Sequence, residues 1–325
     1  MPHAHRWAGA PAGGRPRAPG RAGRRAWRRR ARRAQVSAVA TILGLLLVVT
    51  VIANYLATTL PNTMGQNDLQ HELQVENQLA ELSALVGAIG TTNAVGAQVS
   101  EPLTLGSQGA PPFAGPDASS LVPLTTLANT TGNYPQTTFS FTLSGQAKPL
   151  SSTGSAGLNV HLSNTYAPAA DIAYDQGAVV FSEAGGLPIF IVPPSITLSS
   201  GVLTVFLPQF SNPISSESGT GAADILLRMV STVPVTTPSP GLALAAGSNI
   251  VISIVTPFAA AWYAYFLQTS TSLSSYVTCT GPNHVCTALY SAGGLAPLGT
   301  VTLTIPASVV SSMDAVTTVF AISVA

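Results

Sequence analysis

The feature that most constrains this chain is an uncharged apolar run, Val36–Leu60, that follows 34 residues rich in arginine. About 20 such residues span the hydrocarbon core of a bilayer as a helix, so this longer run predicts a tilted membrane-spanning helix. Eleven arginines precede the run, and positive charge beside a span keeps that side in the cytoplasm. We therefore expect residues 1–34 to be a disordered cytoplasmic leader and the chain beyond the span to lie outside the cell.

Charge is divided sharply at the same place. Lys148 and Arg228 are the two basic residues beyond the run, and all twelve acidic residues also follow it, which gives that part a net charge of −10. Clustered arginine can neutralise the phosphates of nucleic acid, but the leader has no apolar periodicity and at most one pair of aromatic residues. Membrane lipid is therefore the expected partner of the leader, and nucleic acid is not.

The apolar run does not have the pattern of an ordinary secretory signal. Such a signal has an apolar core of 7–15 residues and a cleavage site made of small residues after it. Here the run is longer, the sequence Tyr-Leu-Ala-Thr-Thr near its end is a poor cleavage site, and the twin-arginine export pattern fits badly. A signal that is cut before a retained apolar run fits better.

The junction of leader and run resembles the class III signal of archaeal type IV pilins and archaellins, which a prepilin peptidase cleaves. Two arginines and Ala34 are followed by Gln35, Ser37 and Leu43, which match the family's first, third and ninth positions after the cut. The resemblance implies cleavage between Ala34 and Gln35. Many members carry Glu at the fifth position, where it is thought to pair with a neighbouring subunit's amino terminus. Val39 stands there in this chain, which departs from the filament-forming pattern.

Helical periodicity continues beyond the membrane-spanning helix, which we place at residues 35–61. Proline cannot donate to the helix ladder, so Pro61 is expected to end or kink that helix. In residues 62–90, apolar residues at steps of three and four predict an amphipathic helical stalk, with the acidic residues on its other faces. The predicted apolar stripe comprises Leu69, Leu73, Val75, Leu79, Leu82, Val86 and Ile89.

Residues 91–325 have the composition of a β-rich head. Short β-branched segments lie between Gly, Pro and Ser turns, which favours antiparallel strands in a sandwich or an open sheet. One short helix-like piece is expected within residues 216–241. The fold class is therefore α+β, with a long N-terminal helix and a mainly antiparallel, sandwich-like extracellular domain. The predicted strand segments are 137–145, 157–166, 177–183, 188–208, 248–255 and 299–306.

One segment of the head predicts a short aromatic helix. Thr256 can cap it, Pro257 suits its first turn, and Phe258, Trp262 and Phe266 recur every four residues on one face. This face is expected to pack in the core, with sugar binding as the alternative. The same passage, together with residues 164–198, resembles the ectodomains of haloarchaeal pilin-like surface proteins of unassigned function.

Two short features lie in predicted loops of the head. Cys279 and Cys286 flank a Gly-Pro-Asn turn, which outside the cell predicts a disulfide. A metal site that includes His284 is the rival interpretation, although no further ligands are evident. Asn129 begins an Asn-Thr-Thr sequon and is a candidate for N-glycosylation.

The sequence contains no catalytic motif among those we sought, so neither an enzyme nor a cofactor is expected. We expect a pilin-like structural surface protein that is anchored by, or assembled through, its apolar helix and presents the head for adhesion or surface contacts. Its expected partners are membrane lipid, a prepilin peptidase and other pilin-like subunits. The alternative is a single-pass receptor or adhesin that does not polymerise.

Overall fold

The structure is a computed structural model, and the chain forms two compact units, Met1–Thr59 and Leu60–Ala325. Side chains are described from residue 35 onward. The residues that the structure describes are 21–124, 137–144, 150–154, 156–211, 216–234, 242–243, 249–269, 277–280, 298–306, 308–310 and 312–325.

The described part of the first unit is helical. Helix α1 spans Arg21–Asn54 and is followed by a π-helical stretch, Tyr55–Thr59. Hydroxyl groups inside this apolar segment bond to the backbone four residues earlier, as Thr50 Oγ1 does to the Leu46 carbonyl at 2.7 Å. Such back-bonding satisfies the only polar atom of a threonine without water, so these residues are compatible with an apolar environment.

Helix α2 spans Leu60–Thr92, so the chain remains helical beyond Pro61 instead of ending there. Proline is tolerated in the first turn of a helix, where its missing N–H has no intrahelical partner to lose. One stripe of α2 is buried at steps of three and four residues. It comprises Leu60, Met64, Asp68, His71, Val75, Leu79, Leu82, Val86 and Ile89.

Two leucines assigned to this stripe from the sequence do not belong to it. Leu69 is 51% exposed and Leu73 is 56% exposed. At about 100° per residue, Leu73 projects roughly 200° away from Val75, so both cannot face the same core. Asp68 and His71 occupy the stripe instead, so the expectation that Asp68 lies on another face of the helix is wrong.

Within the described residues, three sheets form the body of the second unit, and every strand pairing in them but one is antiparallel. Strands β10 and β17 are the parallel pair. Sheet 1 has the order β1 (Gln98–Thr104), β12 (Ala222–Pro234), β17 (Ser312–Val324), β10 (Val202–Phe210), β9 (Ile196–Ser199), with β13 (Leu242–Ala243) beside β17. Sheet 2 has the order β11 (Glu217–Gly219), β2 (Ser119–Pro123), β5 (Gly157–Leu162), β6 (Ala170–Asp175), β7 (Ala178–Glu183), β8 (Ile189–Val192). Sheet 3 has the order β15 (Val277–Thr280), β16 (Gly299–Pro306), β14 (Asn249–Thr256), β3 (Thr138–Ser144), β4 (Leu150–Gly154).

Hydrophobic packing joins these sheets through two large clusters. In the first, the stripe of α2 packs with sheets 1 and 2, for example Leu79 and Leu82 with Tyr174 and Phe320. In the second, the opposite face of sheet 1 packs with sheet 3 and with helix α3, Ala259–Thr269. Neighbouring residues of β10 contribute to both clusters, Val205 to the second and Phe206 to the first, as the alternation of side chains along a strand requires.

The fold is therefore α+β, with one long apolar N-terminal helix and a strand-rich domain of mainly antiparallel sheets, as the sequence predicted. Three sheets take the place of a two-sheet sandwich. The prediction of a short helix within residues 216–241 is wrong, because Ala222–Pro234 forms strand β12. Alternate residues of that segment, Ile225, Leu227 and Met229, are buried, which is the period of a strand.

Candidate functional site

The side chains of the apolar N-terminal segment are exposed. Among residues 35–59 none is buried, and Leu43, Leu46 and Leu47 are 62%, 60% and 65% exposed. One helix near the N-terminus, within Gln35–Thr92, is long and apolar enough to cross a bilayer. Exposing this much apolar surface to water is unfavourable at about 25 cal/mol per Å², so the segment requires an apolar covering.

The predicted processing residues all lie in helix α1. The side chains of Gln35, Ser37 and Leu43 are exposed, and the backbone of Ala34 is helical. The Ser37 carbonyl accepts a hydrogen bond from Thr41 Oγ1 at 2.9 Å. They form a linear motif along one helix and enclose no pocket of their own, so cleavage stays a prediction.

The other predicted site residues lie at the margin of the described structure. Cys279 is half-buried on β15, opposite Val301 of β16. Cys286 and Asn129 lie outside the described residues, so the disulfide and the glycosylation stay predictions. Among the described residues, no group of three or more His, Cys, Asp or Glu side chains could hold a metal ion.

The aromatic helix packs in the core. Trp262 and Phe258 are buried, and Phe190 meets Trp262 edge to face at a centroid distance of 5.2 Å. Edge-to-face packing of this kind stabilises aromatic clusters. Trp262 and Phe258 are therefore inaccessible to an external sugar, and of the two interpretations the core role is confirmed.

A buried carboxylate links this helix to two sheets. Asp175, at the end of β6, accepts hydrogen bonds at Oδ2 from Thr256 Oγ1 at 2.6 Å and from Trp262 Nε1 at 2.9 Å. Burial raises the pKa of Asp175 to about 6, against the opposing effect of hydrogen bonds from Thr256, Trp262 and Thr137. The Asp175 carboxylate therefore joins β14 and α3 to β6 by hydrogen bonds inside the core, where a substrate cannot reach it.

A second polar cluster crosses neighbouring strands of sheet 2. Asp171 Oδ1 accepts a hydrogen bond from Asn159 Nδ2 at 2.8 Å and lies 3.0 Å from His161 Nδ1. The hydrogen bond with Asp171 is the main cause that raises the pKa of His161, while burial opposes it. Of this cluster only the histidine is partly exposed, and the register of sheet 2 places Ser120 of β2 opposite His161 and Ser182 of β7 opposite Asp171.

Carboxylates also gather between α2 and the strands beneath it. Burial raises the pKa of Glu72 to about 7, and the charges of Glu76 and Glu183 act in the same direction. Burial, and then the charge of Glu81, raises the pKa of Glu101 on β1. Among the described residues, no salt bridge involves these carboxylates.

The described surface of the head carries a trough of about 400 Å³ where helix α2 ends on sheet 1. Gly90 lies directly against the ring of Phe206, so that a side chain at position 90 would collide with the ring. Helix α2 ends two residues beyond Gly90, and next to its end Asp314 is half-buried and Thr204 is exposed. The residues that line the trough are Gly90, Thr91, Asn93, Thr204, Val205, Phe206, Thr232, Asp314 and Val316.

Sequence reasoning missed the trough and the burial of Asp175. The trough combines residues from four separate elements, and the register that sets Thr204 beside Asp314 is invisible in the sequence. For Asp175 a signal existed, because the acid precedes a Gln-Gly turn in an otherwise apolar hairpin. A carboxylate at such a position is buried only when donors from distant segments reach it, here Thr256 and Trp262.

The fold and these sites together define a class of protein: a chain with a candidate N-terminal membrane-spanning helix and a β-rich domain. No protein-family model matches the chain, and neither does any curated protein or solved structure.

Proposed function

We propose that this chain is a pilin-like surface protein, anchored in the membrane by, or assembled through, the apolar helix after Gln35, with the β-rich head outside the cell. A single observation carries the proposal: residues 35–59 expose apolar side chains, while the unit from Leu60 onward has its own core. Such a segment is stable only among lipid tails or against other apolar helices.

The resemblance at the junction supports the processing step. In this proposal a prepilin peptidase cuts between Ala34 and Gln35 and removes the arginine-rich leader. The helix is retained, and packing between the helices of neighbouring subunits assembles them. Both surroundings, lipid and a bundle of helices, would cover the same exposed side chains.

Mass spectrometry of the amino terminus, on protein extracted from membranes of a host with prepilin peptidase, tests this proposal. We expect the chain to begin at Gln35. The variant Ala34→Leu should retain the leader, because the family's peptidase requires a small residue before the cut. Ala38→Leu, inside the apolar run, is the matched control and should be processed normally. A wild-type chain that keeps its leader would sink the pilin-like proposal.

The trough beside Phe206 favours a second candidate function, a monomeric receptor or adhesin. Its volume and its mixture of an aromatic ring, a carboxylate and hydroxyl groups are typical of a small-ligand site. Phe206→Ala should then weaken binding of the purified protein to cells of the same host. Phe113→Ala, at an exposed position outside the trough, is the control. Sheared, sedimentable fibres made of this chain would contradict the monomeric alternative.

A further inference from the structure

The amino terminus that processing would create lies in surroundings without acidic groups. The residues from Gln35 to Asn67 include no Asp, Glu, Lys or Arg, and the first acidic residue is Asp68, 33 positions further along the chain. A newly formed α-ammonium at Gln35 would therefore be the only full charge at its end of the helix. Packed among the apolar helices of neighbouring subunits, this charge would have no carboxylate partner within its own subunit, and an unpaired charge in such surroundings is strongly unfavourable.

The helix itself disfavours the same charge. Residues 35–54 are part of α1, so Gln35 becomes the first residue of that helix after cleavage. The first N–H groups of a helix carry the positive end of its dipole, and a cation placed there is destabilising. The chain needs a neutral group at this end, or an anion.

The side-chain amide of Gln35 can react with the α-amine and so remove its positive charge. Its side chain is exposed, and among the residues that the structure describes none is hydrogen-bonded to its amide. An amino-terminal glutamine can close a five-membered lactam: the α-amino nitrogen attacks Cδ of the side-chain amide, the bond from Cδ to the amide nitrogen breaks, and ammonia leaves with the proton from the attacking amine. No oxidant or other reactant is consumed.

We propose that Gln35 is a modification site at which the mature chain is closed to pyroglutamate, so that the apolar helix begins without a charge. The proposal rests on the processing between Ala34 and Gln35 described above. It also accounts for Val39, since a neutral amino terminus leaves no positive charge for a carboxylate at that position to pair with. In family members with Glu at the fifth position, the positive amino terminus and the negative side chain would pair between subunits. In this chain the lactam and Val39 would remove both charges, so no ion pair is needed.

Amine labelling before mass spectrometry tests the proposal on the full chain. Membranes from a host with prepilin peptidase are treated with formaldehyde and borohydride, which dimethylate free amines, and the protein is then cleaved before Asp68. We expect an unlabelled fragment of residues 35–67 whose mass is about 17 Da below that of the unmodified sequence, which is the loss of one ammonia. Labelling precedes digestion, and a dimethylated amine cannot close the lactam, so ring closure after the labelling step cannot imitate the result.

The two possible failures are distinguishable. A dimethylated fragment that begins at Gln35 would overturn the lactam and leave the processing proposal standing. A fragment that still contains leader residues would overturn both proposals.

Gln35→Asn is the matched control, because its side chain is one methylene shorter and would have to close a strained four-membered ring. The variant should carry the dimethyl label at its amino terminus. An unlabelled amino terminus in the asparagine variant would show that another group blocks the amine, and this too would overturn the lactam.

Discussion

Residues 35–59 and helix α2 are both helical and both rich in apolar side chains, but the first segment exposes these side chains and the second buries them. Leu46 and Leu47 are 60% and 65% exposed, whereas Leu79 and Leu82 are fully buried against the sheets. In α2 polar residues separate the apolar ones into a single stripe, but residues 36–60 are apolar on every face. Apolar content alone therefore does not decide whether a helix is buried, because a sheet can cover only the apolar residues on one face of the helix.

Charge distinguishes the same two regions. The apolar segment excludes charge, while the second unit buries carboxylates, such as Asp68 on α2 and Asp175 in the core of the head. The head can bury Asp175 because hydrogen-bond donors from strand β14 and helix α3, distant in sequence, reach its carboxylate.

The largest effect is expected from charge placed in the apolar segment. The double variant Leu46→Arg with Leu47→Arg should lose membrane insertion, since each arginine near the centre of a span costs about 3 kcal/mol. Leu69→Arg with Leu73→Arg, at exposed positions of α2, is the control and should remain in the membrane fraction. Carbonate extraction of membranes measures the difference. Equal extraction of the two double variants would contradict the assignment of the membrane-spanning segment to the residues around Leu46 and Leu47.

Truncation of one buried leucine tests the other side. Leu79→Ala should lower the free energy of unfolding of the fragment Leu60–Ala325 by about 2–5 kcal/mol, the usual cost of such a cavity. Leu73→Ala in the same helix should change it by less than about 0.5 kcal/mol, because the side chain is exposed. Urea unfolding followed by circular dichroism gives both values. A large loss for Leu73→Ala would mean that the stripe predicted from the sequence was right.

Asp175 makes the stability of the head depend on pH. The folded pKa of about 6 lies above the ordinary value of 3.8, so the folded state binds the proton more tightly than the unfolded state. The resulting stability is complete below pH 3.8 and is lost as pH rises through 6, about 3 kcal/mol in all. Asp175→Asn should remove this loss while still accepting hydrogen bonds from Thr256 and Trp262. Unfolding measured between pH 4 and 8 checks it.

The control for this prediction is Asp224→Asn, at an exposed position on β12. Its unfolding curve should keep the wild-type dependence on pH. A wild-type protein that becomes more stable between pH 4 and 6, with the slope removed in Asp175→Asn, would contradict the assigned direction of the shift.

The amount that the sequence could predict follows from how local each signal is. The N-terminal helix, the aromatic helix and strands such as 248–255 and 299–306 were predictable, because a contiguous period of two or of about 3.6 residues marks them. Leu69 and Leu73 were wrongly assigned to the buried stripe, because residues four apart share a face of a helix but the spacing does not show which face is buried. The phase is fixed by which face meets the sheets.

The candidate site was less predictable, because its parts meet only through the topology. The processing residues were found as a linear motif, since a peptidase recognises consecutive residues. The trough depends on β10 and β17 being parallel neighbours although about a hundred residues separate them, as Thr204 and Asp314 show. The burial of Asp68 likewise depends on the backbone N–H of Tyr166, which donates to its Oδ2 at 3.1 Å.

The smallest expected effect concerns Glu72, which is only partly buried and therefore partly screened by water. Its raised pKa means that this carboxyl contributes stability below pH 4.5 that is lost as pH rises through about 7. Glu72→Gln should raise stability at pH 8 and leave it nearly unchanged at pH 4. Glu72→Lys separates the two causes, because lysine would attract Glu76 and Glu183 but would still bear a buried charge. Since burial is the larger cause, Gln should stabilise more than Lys, and the reverse order in unfolding at pH 8 would show that repulsion dominates.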